Sequence, residues 1–164
     1  MDRISFENLG ILLSLAASLK SEDKFTQVGC AGFDRENRIV GISYNGYAKG
    51  QILSEEFLED RDNKNLFVRH SETNLLSMHK KGDIHTMFLT CSPCRNCAVN
   101  IAAHEIKKII FLEEYHREQD YKKVFDFYKI EYKCLDVREI KILRGFLNEM
   151  DKKLKKVFDD CVPF

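Results

Sequence analysis

Strands alternating with helices predict an α/β domain built on a mixed sheet. Five short apolar runs, "QVGCAGF", "RIVGISY", "TMFLT", "KKIIFLE" and "IEYKC", have strand character, and helical patterns separate the later ones. The first two runs are joined by the polar turn "DREN" and predict an antiparallel hairpin, whereas the later strands can run parallel through helical crossovers. At 164 residues the chain is most simply one domain, 1–164, long enough to bury a core without disulfides.

In "MDRISFENLGILLSLAASLK", Phe6, Leu9, Leu12, Leu13, Ala16 and Leu19 recur at helical spacing and predict a core-facing amphipathic helix. That stretch begins with an acid and its apolar run is short and interrupted, so it predicts neither a signal peptide nor a membrane span. After the hairpin, residues 45–69 are polar, charged and punctuated by glycine, which predicts a long loop with a helical turn in "SEEFLED". "SETNLLSMHKK" predicts a helix opened by Ser71 and stopped by Gly82. "CRNCAVNIAAHE" predicts a helix beginning just after Pro93, and "EQDYKKVFDFY" another. A final helix is expected from Asp136 to Phe158, with apolar positions at Val137, Ile140, Leu143, Leu147, Met150, Leu154 and Val157; it forms a C-terminal extension at about 136–160.

Acidic and basic residues balance at 26 each, so no global cationic field recruits nucleic acid, and nucleic acid is not the expected partner. Six cysteines without an export signal point to a reducing compartment, and the expected location is the cytoplasm. Cys30, Cys134 and Cys161 are expected as small core or surface residues, not as a disulfide set.

The remaining three cysteines stand at i, i+3 and i+6 in "CSPCRNC". Cys94 and Cys97 fall on the first turn of the helix after Pro93, where i and i+3 share a face and the helix N-terminus favours thiolate, so the pair suits a borderline-soft cation such as zinc. His70 and Glu72 in "RHSETNLL" offer an imidazole ligand and a nearby carboxylate. Three protein ligands leave zinc a fourth position for water, whose pKa falls towards about 7, and Glu72 beside it can shuttle protons. H-x-E with P-C-x-x-C is the pattern of zinc nucleobase deaminases. Two other readings use the same residues: a closed structural site of His70 with Cys91, Cys94 and Cys97, which leaves Glu72 without a task, and three buried unpaired thiols.

These residues resemble the deoxycytidylate (dCMP) deaminases of the cytidine deaminase superfamily. "KSEDKFTQVG" resembles that family's segment into the first strand, "SYNGYAKG" its Gly-Tyr-Asn-Gly loop, "HSETNLL" its helix start and "TCSPCRNC" its Thr-x-x-Pro-Cys-x-x-Cys turn, over about residues 5–135. The resemblance implies a three-layer α/β/α cytidine-deaminase-like fold with a five-stranded mixed sheet. It also implies one zinc ion held by His70, Cys94 and Cys97, Glu72 as proton shuttle, and hydrolytic deamination of dCMP to dUMP with loss of ammonia. By the same resemblance Ser71, Ser92 and Pro93 hold the pyrimidine edge, Asn45 contacts the sugar, Ser21 and Lys20 lie near the phosphate, and Tyr115 closes over the nucleotide. A homo-oligomer and control by dCTP and dTTP are further implications.

Four departures from the family pattern stand out: Ser71 in place of Ala, Lys20 in place of Arg, "GYAKG" in place of a Gly-Phe-Pro loop, and no Cys or His from Gln51 to Arg69 for a second zinc. Without the resemblance, Asn45 is equally a turn residue and Ser21 a cap, and Lys20, Lys24, Lys49 and Arg69 are candidates for an anionic pocket or for solvated surface. A deaminase acting on another cytosine nucleotide, a nucleoside or single-stranded nucleic acid, and a non-catalytic zinc-stabilised module, are the competing functions.

Overall fold

A computed structural model describes residues 3–50 and 53–161, with the side chains of residues 63 and 159–161 outside the description. Helix α1 (Phe6–Ser18) opens with the Ser5 hydroxyl accepting from the Asn8 N–H at 3.1 Å. Strands β1 (Gly29–Phe33) and β2 (Ile39–Tyr44) form the expected hairpin. The long loop contains two short helices, α2 (Glu55–Glu59) and α3 (Arg61–Asn65), before α4 (Ser71–Leu76). Then come β3 (Thr86–Cys91), α5 (Arg95–Ala103), β4 (Lys108–Glu113), α6 (Tyr121–Tyr128), β5 (Glu131–Cys134) and α7 (Val137–Cys161).

The five strands form one mixed sheet in the order β2-β1-β3-β4-β5. β1 runs antiparallel to both β2 and β3, while β3, β4 and β5 are mutually parallel, as helical crossovers require. Strand periodicity sends Met87 and Leu89 to one face and Phe88 to the other. On the first face they pack with Leu75 and Leu76 of α4, Ala98 and Ile101 of α5, and Tyr121 and Phe125 of α6. On the second, Phe88 and Ile110 pack with Ile11 and Leu12 of α1 and Leu143 of α7. The result is the expected three-layer α/β/α arrangement. No helix among the described residues is long and apolar enough to cross a membrane.

Three expectations are corrected. α1 buries Gly10, Ile11, Leu12, Ser14, Ala17 and Ser18, whereas Phe6 is 47% and Leu19 79% exposed. The helix turns its small residues inward because it lies unusually close to the sheet: a Cβ on Gly29 would sit 1.8 Å from the Ser14 carbonyl oxygen, and one on Gly10 2.4 Å from the Phe88 ring. α4 is capped by His70, not Ser71, and ends at Leu76, where the Ser77 hydroxyl donates to the Asn74 carbonyl and Asp83 takes the Lys80 N–H. Among the described side chains of α7 only Leu143 is buried, with Ile140 and Phe146 packed beside it; Val137, Leu147, Met150, Leu154 and Val157 are exposed, because the helix runs on past the sheet it begins against.

Candidate metal centre and active site

The site forms where two helix starts meet beside the ends of β2 and β3. His70 caps α4 with extended backbone (φ −70°, ψ 150°), so its imidazole stands outside the helix while Glu72 takes the first turn. The preceding residue is fixed by a two-way bridge, Gly46 N–H to Arg69 O at 3.0 Å and Arg69 N–H to Gly46 O at 2.7 Å. Cys94 caps α5, with the Cys97 N–H 3.5 Å from its Sγ. The Glu118 carboxylate accepts the Arg95 N–H at 2.6 Å and satisfies another donor of that helix start.

His70 Nδ1 lies 3.5 Å from Cys94 Sγ and 3.4 Å from Cys97 Sγ. Bonds of about 2.0 Å to nitrogen and about 2.3 Å to sulfur at a tetrahedral angle place such atoms roughly 3.5 Å apart. The three donors therefore fit one zinc ion. Their protons tell the same story. Cys94 is pulled down to about 4, first by the hydrogen bond with Cys97 and, against burial, by His70. The Cys94 sulfur raises the His70 imidazole to about 9, and Cys97, bonded to that same sulfur and buried, is pushed far above the ordinary thiol range. Two protons and one thiolate thus crowd a space that a single dication would fill.

Cys91 is the fourth ligand of the closed-site reading, and it lies outside this trio. It ends β3 as a buried thiol pushed up to about 12, first by burial and then by Glu113 and Glu72, so it stays protonated. Glu72 is buried, and burial pushes its carboxyl above the ordinary range against the pull of His70. Its Oε2 accepts the Ser71 hydroxyl at 3.0 Å, and the Ser71 carbonyl in turn accepts the Ser43 hydroxyl at 2.6 Å.

A cavity of about 140 Å³ is lined by His70, Ser71, Glu72, Cys94, Ser92, Asn45 and Tyr115 among the expected residues. The Ser92 hydroxyl accepts the Tyr115 N–H at 2.8 Å, which ties the end of β3 to the loop after β4. Cys97 and Pro93 are buried beside the cavity without lining it. Asn45 lines it, yet its amide is committed to the chain. Oδ1 accepts from the Ser21 hydroxyl (2.7 Å) and the Val28 N–H (2.8 Å), while Nδ2 donates to the Thr26 carbonyl (2.8 Å) and Asp23 Oδ2 (3.4 Å). Ser21 is thus buried behind Asn45, and Lys20 is exposed outside the lining. Lys24 pairs with Glu59 at the surface, and Lys49 and Arg69 line a separate cavity.

Sequence reasoning missed Asp23, Thr26 and Asn65 in the lining, and Lys64 behind them. Lys64 Nζ pairs with Asp23 Oδ2, the two side chains being 2% and 3% exposed. In "DNKNLF" nothing distinguishes this lysine from a solvated one.

The family profile described as cytidine and deoxycytidylate deaminase zinc-binding region matches residues 7–113. A probable deoxycytidylate deaminase of Caenorhabditis elegans is 35% identical over 106 residues, 62% of this chain and 54% of that protein. The deoxycytidylate deaminase of Mus musculus is 30% identical over 129 residues, 73% of this chain and 71% of that protein. The chain therefore spans about half the length of the first relative and more than two thirds of the second. Among solved structures, the dCMP deaminase of cyanophage S-TIM5, in complex with dCMP and dUMP, superposes with a TM-score of 0.67 at 22% identity, covering 82% of this chain and all of that one, which places the fold. A profile match that takes in the His70–Glu72 and Cys94–Cys97 motifs, on this fold and around this geometry, means that the chain belongs to the cytidine and deoxycytidylate deaminase family.

Proposed function

We propose that this chain is a zinc-dependent hydrolase that converts dCMP to dUMP and ammonia. The observation that carries the reading is a buried carboxyl, Glu72, on the wall of a cavity beside which three donors, His70, Cys94 and Cys97, fit one zinc ion. Zinc, when bound by those three residues, supplies a Lewis acid that makes water a nucleophile near neutral pH. The chain's own groups do the rest. Ser71 holds Glu72 Oε2, leaving Oε1 for proton transfer. Water adds to C4 of the cytosine; Glu72 takes its first proton and delivers it to N3. The hydroxyl proton then passes through Glu72 to the amino group, ammonia leaves C4, and the ring is left with C4=O and N3–H, which is uracil. Burial raises the Glu72 carboxyl above the ordinary carboxylate range, which suits a group that must both take and return a proton.

Ser71, Ser92 and Tyr115 line the same cavity as Glu72, which supports their contact with the cytosine edge. Relatives named deoxycytidylate deaminase support dCMP over other cytosine compounds. A homo-oligomer, dCTP and dTTP effectors, a single domain extended by α7, and a cytoplasmic location belong to the same proposal. The exposed apolar stripe of α7 supports self-association, and a monomer by sedimentation at micromolar concentration would contradict it. The test of function is ammonia release by the zinc-loaded protein on dCMP, CMP, deoxycytidine, cytidine and dCTP. Turnover favouring dCMP is expected. Preference for another of the five would move the substrate, and turnover of none would overturn the reading in favour of a polynucleotide substrate or a non-catalytic module.

A further inference from the structure

Among the described side chains of residues 53–69, one is buried, and it is the charged Lys64. An apolar side chain would anchor this segment without the desolvation cost of an ammonium, so the charge itself has a use. It is spent on Asp23. Asp23 Oδ2 takes Lys64 Nζ, and Oδ1 takes the Phe25 and Thr26 N–H groups at 2.8 and 3.0 Å. Lys64 Nζ also lies 5.1 Å from the Phe25 ring centroid. Through Asp23 the lysine reaches the Asn45 amide and the Ser21 hydroxyl, so one buried network fixes this wall of the cavity.

The cavity wall is unusual for an anionic ligand. Among the described residues no lysine or arginine lines it, while the acidic residues Asp23 and Glu72 do. A phosphorylated nucleoside held in this cavity meets Asp23 as a second acidic residue, whose charge would repel the phosphate unless it were neutralised. Asp23 is neutralised from behind, and burial leaves the pairing unscreened by salt.

Building on the dCMP reading above, we propose that Lys64 determines the acceptance of a phosphorylated nucleoside by this cavity, acting through Asp23. It is a positioning and charge-compensating residue, and it does not touch the substrate.

The experiment compares kcat/KM for dCMP with that for deoxycytidine in the zinc-loaded wild type, Lys64→Met and the Asp23→Asn/Lys64→Met double variant. Lys64→Met is expected to lower the dCMP-to-deoxycytidine ratio at least tenfold, chiefly through KM for dCMP. The double variant, with neither charge, is expected to recover the ratio to within threefold of wild type. Equal losses on both substrates, or a folded double variant that fails to recover, would overturn the proposal and leave Lys64 a structural anchor. Should Lys64→Met not fold, Asp23→Asn decides: an uncompensated cation should hold or raise the ratio, and a fall in it contradicts the proposal. A wild type inactive on every cytosine compound would instead refute the functional reading itself.

Discussion

Zinc binding should release two protons at neutral pH. In the zinc-free trio His70, raised to about 9, is protonated, as is Cys97, whose thiol is pushed far up; Cys94, at about 4, is already thiolate. All three must be unprotonated to bind metal, so the two protons on His70 and Cys97 leave. Affinity therefore rises with pH wherever His70 and Cys97 are protonated and Cys94 is not, a window from about pH 5 to about pH 8. Two protons correspond to roughly a hundredfold in Kd per pH unit, or about 2.7 kcal/mol. Competition with a chelator at several pH values within that window gives the slope. Calorimetry in two buffers of different protonation enthalpy counts the protons directly. Cys97→Ser, which removes one releasable proton, should bind zinc more weakly with a slope of about one. A wild-type slope of one or less would refute the proton inventory, and with it the claim that these three groups compete for the space of one cation.

The Cys91→Ser variant should keep one zinc per chain while Cys94→Ser loses it, as read by metal analysis after gel filtration; zinc loss from Cys91→Ser would restore the closed four-ligand site. Gly29→Ala should cost about 3 kcal/mol in urea unfolding, because its methyl would meet the Ser14 carbonyl at 1.8 Å. A cost under about 1 kcal/mol would mean that α1 lies farther from the sheet. Burial raises the Asp23 carboxyl, but Lys64 and the Phe25 and Thr26 amides outweigh it and hold the group below the ordinary range. Stability from that pairing is present above about pH 4 and is lost as pH falls through the folded-state value. Wild type should accordingly lose more stability on acidification than Asp23→Asn/Lys64→Met, and the reverse order would contradict the ion pair.

The parts of this molecule that announce themselves in sequence are those set by local spacing. His70–Glu72 and Cys94–Cys97 each need only a helix start to bring their side chains together, and the apolar run "TMFLT" reads as the strand that became β3. Contacts between distant segments do not announce themselves. Lys64 and Asp23 are 41 residues apart, and each looks like ordinary surface charge until the long loop folds back. Asn45 reads as a turn residue or a ligand contact, and its role as the junction of Ser21, Asp23, Thr26 and Val28 depends on where that earlier segment lies. In α1 the apolar spacing misleads, because close approach to the sheet selects Gly10, Ser14 and Ser18 over bulk. In α7 the stripe is periodic throughout, yet the domain covers only its first turns.

The central claim is that Glu72 moves protons beside a zinc ion that His70, Cys94 and Cys97 hold without it. Its most direct test is Glu72→Gln, assayed for zinc content and for ammonia release from dCMP. One zinc per chain with turnover reduced by about 10²- to 10⁴-fold is the predicted result. Turnover close to wild type, or zinc lost with the carboxylate, would contradict it.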